Sequence, residues 1–125
     1  MSVETRSLIA IVDDDQAVRV GLGSLLRSVD LPNELYAGAE ELLSSDLDRV
    51  GFVLSDIQMP GLTGLELLER LKELRPELPV ALMTAFPDER IREKAIAGGA
   101  VHFCAKPCDL DDLVMLIETT LGTRP

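Results

Sequence analysis

The sequence predicts a doubly wound α/β domain in which five parallel strands alternate with helices. Three observations carry that prediction. Short apolar runs recur at Leu8–Val12, Glu34–Ala37, Phe52–Ser55, Val80–Thr84 and Val101–Ala105, each followed by a segment with helical patterning. Several runs are continuously apolar rather than alternating, as strands covered by helices on both faces require. The chain has 125 residues, 46 % of them hydrophobic, which is one domain's worth of sequence and enough apolar side chain for a core.

Each element has its own signals. The first run stops at Asp13-Asp14-Asp15, and Asp15 is placed to cap a helix whose apolar face is Val18, Leu22, Leu25, Leu26 and Val29. The second run ends in Ala37-Gly38 and leads to a short helix near Ala39–Ser45. After the third run, Thr63 and Glu66 have capping-box spacing, and the helix they open carries Leu67, Leu68, Leu71 and Leu74. The stretch from Pro87 to Gly98 has helical start and stop signals but a sparse stripe of Ile91, Ala95 and Ile96. Asp109 caps a last helix with Leu110, Leu113, Val114, Ile117 and Leu121 inward, and Gly122 stops it. No linker, repeat or low-complexity tract divides residues 1–125, so one domain is expected.

The formal charge is −10, and no cluster of Lys and Arg reverses that sign locally, so direct nucleic-acid binding is excluded as an expectation. The N-terminal apolar run, Leu8–Val12, is far below the ~20 residues of a membrane helix. Glu4 precedes it, which argues against a signal peptide; no membrane association and a cytoplasmic location are expected. Cys104 and Cys108 lack a second cysteine pair or a histidine cluster, so reduced, partly buried thiols are expected. His102, without a carboxylate or a second histidine in its motif, reads as structural, and off-stripe Met115 and Leu116 hint at a contact surface on the last helix.

In open parallel sheets, sites form at the carboxyl ends of the strands beside the point where strand order reverses. Here strand one ends in Asp13-Asp14-Asp15, strand three in Asp56, strand four in Thr84 and strand five in Lys106. Taken singly, Asp56 reads as a loop carboxylate, Thr84 as a strand residue and Lys106 as a solvated charge; Asp15 reads as a cap. The information lies in their joint placement. Carboxylates gathered this way repel one another unless a cation joins them, and an all-oxygen set suits Mg²⁺ completed by water and phosphate oxygens. Lys106 adds positive charge and Thr84 a hydroxyl donor for a phosphoryl oxygen.

These residues also resemble a family. The strings Ile11-Val12-Asp13-Asp14-Asp15, Asp56-Ile57-Gln58-Met59-Pro60 running to Gly64, Met83-Thr84-Ala85, and Phe103 with Lys106-Pro107 are similar to receiver domains of bacterial two-component response regulators, nearest the FixJ type. The resemblance implies a flavodoxin-like (βα)5 fold with strand order 2-1-3-4-5. It implies Asp56 as the acceptor of a phosphoryl group from a histidine kinase or phosphotransfer protein, and Mg²⁺ held by Asp13, Asp14, Asp56 and the Gln58 backbone carbonyl. Thr84 and Lys106 would contact phosphoryl oxygens, Thr84 and Phe103 would act as switch residues, and the Lys106-Pro107 bond would be cis. The readout would be the face of the fourth helix, fifth strand and fifth helix, through which a homodimer, an output domain or another partner is engaged. Such a domain catalyses only its own phosphorylation and dephosphorylation.

Two alternatives from other classes stay open at this stage. Asp13-Asp14-Asp15 satisfies the DxD of a haloacid-dehalogenase-like phosphatase with Asp13 as nucleophile, although the Asp56-to-Gly64 string would then be unexplained. A receiver-shaped docking module that is never phosphorylated is the other.

Overall fold

The structure, a computed structural model, describes residues 8–122. The signal-peptide argument at Glu4 lies outside the described residues. Along the chain come β1 (Leu8–Val12), α1 (Gln16–Ser28), β2 (Asn33–Tyr36), α2 (Ala39–Leu43), a 3-10 turn (Leu47–Arg49), β3 (Val50–Asp56), α3 (Gly64–Leu74), β4 (Val80–Thr84), α4 (Glu89–Ala97), β5 (His102–Ala105) and α5 (Leu110–Leu121). All strand pairs are parallel and the order is β2-β1-β3-β4-β5.

The strands are apolar throughout because both sheet faces are covered. On one face Ile9, Ile11, Phe52, Leu54, Ala81 and Met83 pack with residues of α1 and α5. On the other, Ala10, Val12, Val53, Val80 and Leu82 pack with residues of α2, α3 and α4. This alternation of side-chain direction along each strand, with helices on both sides, is the doubly wound arrangement.

Helix ends follow the expected capping chemistry. Asp15 accepts from the Ala17 and Val18 N–H groups, and Asp109 from Asp112 N–H. Gly122 adopts the left-handed conformation at φ 66° that an L side chain resists. At α3, Thr63 Oγ1 accepts from Glu66 N–H at 3.2 Å while Glu66 Oε1 accepts from Thr63 N–H at 2.9 Å. Replacing Thr63 by Ala removes one half of this box, and urea unfolding should show a loss of about 1 kcal/mol with an unchanged slope.

Several expectations need correction. β2 begins one residue early and ends at Tyr36, β3 extends at both ends, β5 starts at His102, and α4 starts at Glu89 because Asp88 caps it by accepting from Arg90 N–H. The 3-10 turn has no apolar period and was not foreseen. Val29, Leu74, Ile96 and Leu110, expected on the inward stripes of their helices, are instead 36 %, 59 %, 49 % and 45 % exposed. Leu116 packs inward while its neighbour Met115 stays in solvent. Cys104 and Cys108, expected as free thiols, form a disulfide with Cα atoms 5.9 Å apart. The spacing argument looked for a multi-bridge framework; a single bridge across a bend needs none. After Ala105 the chain bends at Lys106 and Pro107, joined by a cis peptide, and returns Cys108 beside Cys104.

Candidate functional site

Strand register assembles the site. Val12 pairs with Ser55, Asp56 with Met83, and Thr84 with Ala105. The residues at or just past the ends of β1, β3, β4 and β5 therefore face one cleft, and the switch in strand order falls between β1 and β3. Asp13 and Asp56, from those two strands, sit on either side of it.

One oxygen each of Asp13, Asp14 and Asp56 lie within 4.8 Å of one another, and among the described residues they are the one such acidic group. Asp13 is fully buried, Asp56 nearly so, and Asp14 exposed. Asp13 is tightly held: its Oδ1 accepts from Asp15 N–H at 2.9 Å, its Oδ2 from Lys106 Nζ at 2.8 Å, and its carbonyl from Arg19 Nη1 at 2.7 Å. Lys106 Nζ also lies 3.3 Å from Asp56 Oδ1, so one ammonium bridges the two buried carboxylates.

Burial raises the Asp56 carboxyl above the ordinary aspartate value; the neighbouring Asp13 charge adds to this, and Lys106 offsets only part. Burial works to lower the Lys106 ammonium, but its hydrogen bond and charge contact with Asp13, reinforced by Asp56, prevail and hold it above the usual lysine value. Three carboxylates outnumber the one ammonium that contacts them, leaving the cluster net negative. The donor set is all oxygen, is charged and opens to solvent at Asp14, which fits one hard divalent cation.

Thr84 is buried, and its hydroxyl is occupied. Oγ1 donates to Gln58 Oε1 at 2.7 Å and accepts from Phe86 N–H at 3.0 Å. Phe103 is half-buried and packs against the layer that contains Leu82. The structure thus brings Asp13, Asp14, Asp56 and Lys106 together and ties Thr84, at the end of β4, to the Gln58 side chain. Three contacts were not anticipated: the Gln58 side chain on Thr84, Arg19 on the Asp13 carbonyl, and Ser55 Oγ donating to the Asp56 carbonyl at 2.9 Å. Nothing in the residue types signals a bond across 26 positions, nor that Arg19 of α1 reaches back to the carbonyl of Asp13, which precedes the helix.

Residues 9–118 match the family model described as response regulator receiver domain. The chain belongs to that family. Receiver domains are the phosphoacceptor switches of two-component systems. This receiver domain is 37 % identical over 119 residues to the transcriptional regulatory protein FixJ of Bradyrhizobium diazoefficiens, covering 94 % of this chain and 58 % of that protein. It is 36 % identical over 121 residues to the response regulator protein TodT of Pseudomonas putida, covering 95 % and 53 %. The chain therefore spans about half the length of these curated relatives. A solved CheY-like receiver domain from Methanospirillum hungatei superimposes with a TM-score of 0.84 at 28 % identity, covering 94 % of this chain and 95 % of that one.

The receiver assignment bears on the phosphatase alternative, as does the geometry. That reading needs Asp13 as an attacking nucleophile, yet its side chain is buried with both oxygens engaged. Among the described residues no helix is long and apolar enough to cross a membrane.

Proposed function

We propose that Asp56 is the phosphoacceptor of this receiver domain and that Asp13, Asp14, Asp56 and the Gln58 backbone carbonyl hold Mg²⁺. The observation that carries this reading is the approach of three carboxylates within 4.8 Å at adjoining strand ends, with Lys106 bridging the two buried ones. The domain would span residues 1–125, act in the cytoplasm, and receive its phosphoryl group from the phosphohistidine of a sensor kinase or phosphotransfer protein.

An Asp56 carboxylate oxygen attacks phosphorus; the new O–P bond forms as the P–N bond to the donor imidazole breaks, and the electron pair leaves on nitrogen. Such transfers proceed through a loose transition state, so the protein's task is alignment and charge neutralisation. Bound Mg²⁺ supplies neutralisation of the transferred oxygens. Lys106, already 3.3 Å from Asp56 Oδ1, is positioned to follow an oxygen of the phosphoryl group. Its hydrogen bond and charge contact with Asp13, reinforced by Asp56, favour its charged form.

The switch begins at Thr84. To donate to a phosphoryl oxygen, its hydroxyl must release Gln58 Oε1, and the Phe86 N–H bonded to it moves too. Movement of the β4–α4 loop opens space for Phe103 to turn inward. α4 is suited to repositioning because, of its nine residues, Ala95 alone is fully packed. The exposed Ile96, Val101 and Met115 give the α4-β5-α5 face apolar anchors for a homodimer, an output domain or another partner.

Incubation with Mg²⁺ and acetyl phosphate tests the acceptor role: intact mass should show one phosphoryl group, mapped to the Asp56 peptide. Labelling at another residue would place the acceptor there, and no labelling would favour a docking module. A second test addresses the switch. Thr84→Ala should still take up phosphate but lose phosphorylation-dependent dimerisation or partner binding; an unchanged response on a sizing column would contradict the role given to Thr84.

A further inference from the structure

The disulfide encloses the lysine of the acidic site. Cys104 lies on β5 and Cys108 just beyond the bend, so the bridge closes a five-residue ring whose centre is Lys106. Lys106 is anchored at both ends within this ring: its backbone N–H donates to the Thr84 carbonyl at 2.7 Å, and its ammonium bridges Asp13 and Asp56. Both cysteines are half-buried and pack at the edge of the layer formed by α1 and α5. A cavity of about 370 Å³ lies alongside, lined by Ala17, Val18, Met83, Lys106, Pro107 and Cys108. Cys108 is thus reachable by a small reagent from the same cavity that Lys106 borders.

We propose that Cys104 and Cys108 are a reversible thiol-oxidation site whose closed bridge clamps the Lys106 loop onto the acidic cleft. Chemically, the reduced pair reacts with a small disulfide such as oxidised glutathione. The Cys108 thiolate attacks, forming a mixed disulfide and releasing one glutathione; the Cys104 thiolate then displaces the second. Two S–H bonds are lost and one S–S bond forms, and the two electrons and two protons end on the two glutathione thiols. A dithiol reductant reverses the sequence. In the bridged form the bend has fewer open conformations, so the Lys106 amide and ammonium hold their partners for longer; in the reduced form the loop opens more readily. A lysine held in place is preorganised for the charge it must meet.

The effect on the loop stands on the geometry alone, whereas an effect on phosphoryl transfer rests on Asp56 being the acceptor. The test compares the same chain in two redox states, prepared with oxidised glutathione and with a dithiol. Thiol alkylation with intact mass should count no free thiols in the first and two in the second, in the monomer. Hydrogen exchange of the Lys106 amide should then be roughly tenfold slower in the bridged form, and labelling by acetyl phosphate about threefold faster. The doubly substituted Cys104→Ser, Cys108→Ser chain should respond to neither treatment. Two thiols persisting in the monomer after oxidised glutathione, or equal Lys106 exchange in both states, would overturn the proposal. Equal labelling rates despite a contrast in exchange would remove its link to phosphoryl transfer. Absence of labelling in both states, with the exchange contrast intact, would instead overturn the acceptor reading and leave the redox site standing.

Discussion

Asp56→Asn should abolish labelling by acetyl phosphate altogether while leaving the fold intact and slightly more stable. The loss follows from chemistry: an amide has no carboxylate oxygen to form the O–P bond, and neither Asp13 nor Asp14 can substitute, the first because both its oxygens are engaged and the second because it is solvated at the rim. The gain follows from charge. Burial and the Asp13 charge raise the Asp56 carboxyl, so its ionised form is disfavoured in the fold relative to the unfolded chain. A carboxyl whose folded pKa lies above its unfolded value contributes stability that is fully present below the unfolded pKa and is lost as pH rises through the folded one. Without divalent ions, wild-type stability should therefore carry a component that declines as pH rises from the unfolded aspartate value through the higher folded one, and Asp56→Asn should lack that component and melt higher than wild type above that window. Thermal melts across pH check it, and intact mass checks the labelling. Residual stoichiometric labelling of the variant would place the acceptor elsewhere.

Gly64→Ala should be strongly destabilising. A Cβ at that position would lie 2.3 Å from the Asp56 carbonyl oxygen and 2.8 Å from Ile57 Cα. Those are backbone atoms, so no side chain can swing away; the first turn of α3 or the acceptor loop must move. Gly64 N–H also donates to the Ile57 carbonyl at 2.9 Å, so the glycine is where α3 is fastened directly onto the segment that presents Asp56. Overpacking of this kind costs about 3 kcal/mol, which corresponds to a melting temperature lower by on the order of 10 °C for a chain of this size. Because the displaced atoms include the Asp56 backbone, labelling should slow as well, even below the melting transition. Gly21→Ala, at a mid-helix α1 position whose added Cβ meets nothing within 4 Å, is the control: it should leave labelling unchanged and raise stability by about 0.5–1 kcal/mol. A stable, fully active Gly64→Ala chain would show that the acceptor loop does not depend on this close approach.

Much of the architecture was legible because it rests on local signals. Continuous apolar runs identify strands buried on both faces, and the caps at Asp15, Thr63 and Asp109 act within three residues of themselves, so their consequences can be read along the chain. The site was legible for a related reason: the ionisable residues at three strand ends and the hydroxyl at a fourth must converge once the strands are parallel and in register. What stayed hidden depends on contacts between distant segments. The engagement of Thr84, at the end of β4, by the Gln58 side chain joins positions 26 residues apart, and the 49 % exposure of Ile96 is set by how α4 packs on the sheet rather than by its own apolar stripe. The Cys104–Cys108 bridge depends on a bend whose path the spacing of two cysteines does not reveal. The resemblance supplied the roles of individual residues, which register alone does not assign.

Behind each of these expectations stands one claim, that Asp13, Asp14 and Asp56 act together as a single cation site opposed by Lys106. Magnesium titration by calorimetry measures it most directly. Wild-type chain should take up one Mg²⁺ per molecule, with uptake lost in Asp13→Asn and weakened in Asp56→Asn. Failure of the wild-type chain to bind magnesium, or unchanged binding after Asp13→Asn, would contradict the account.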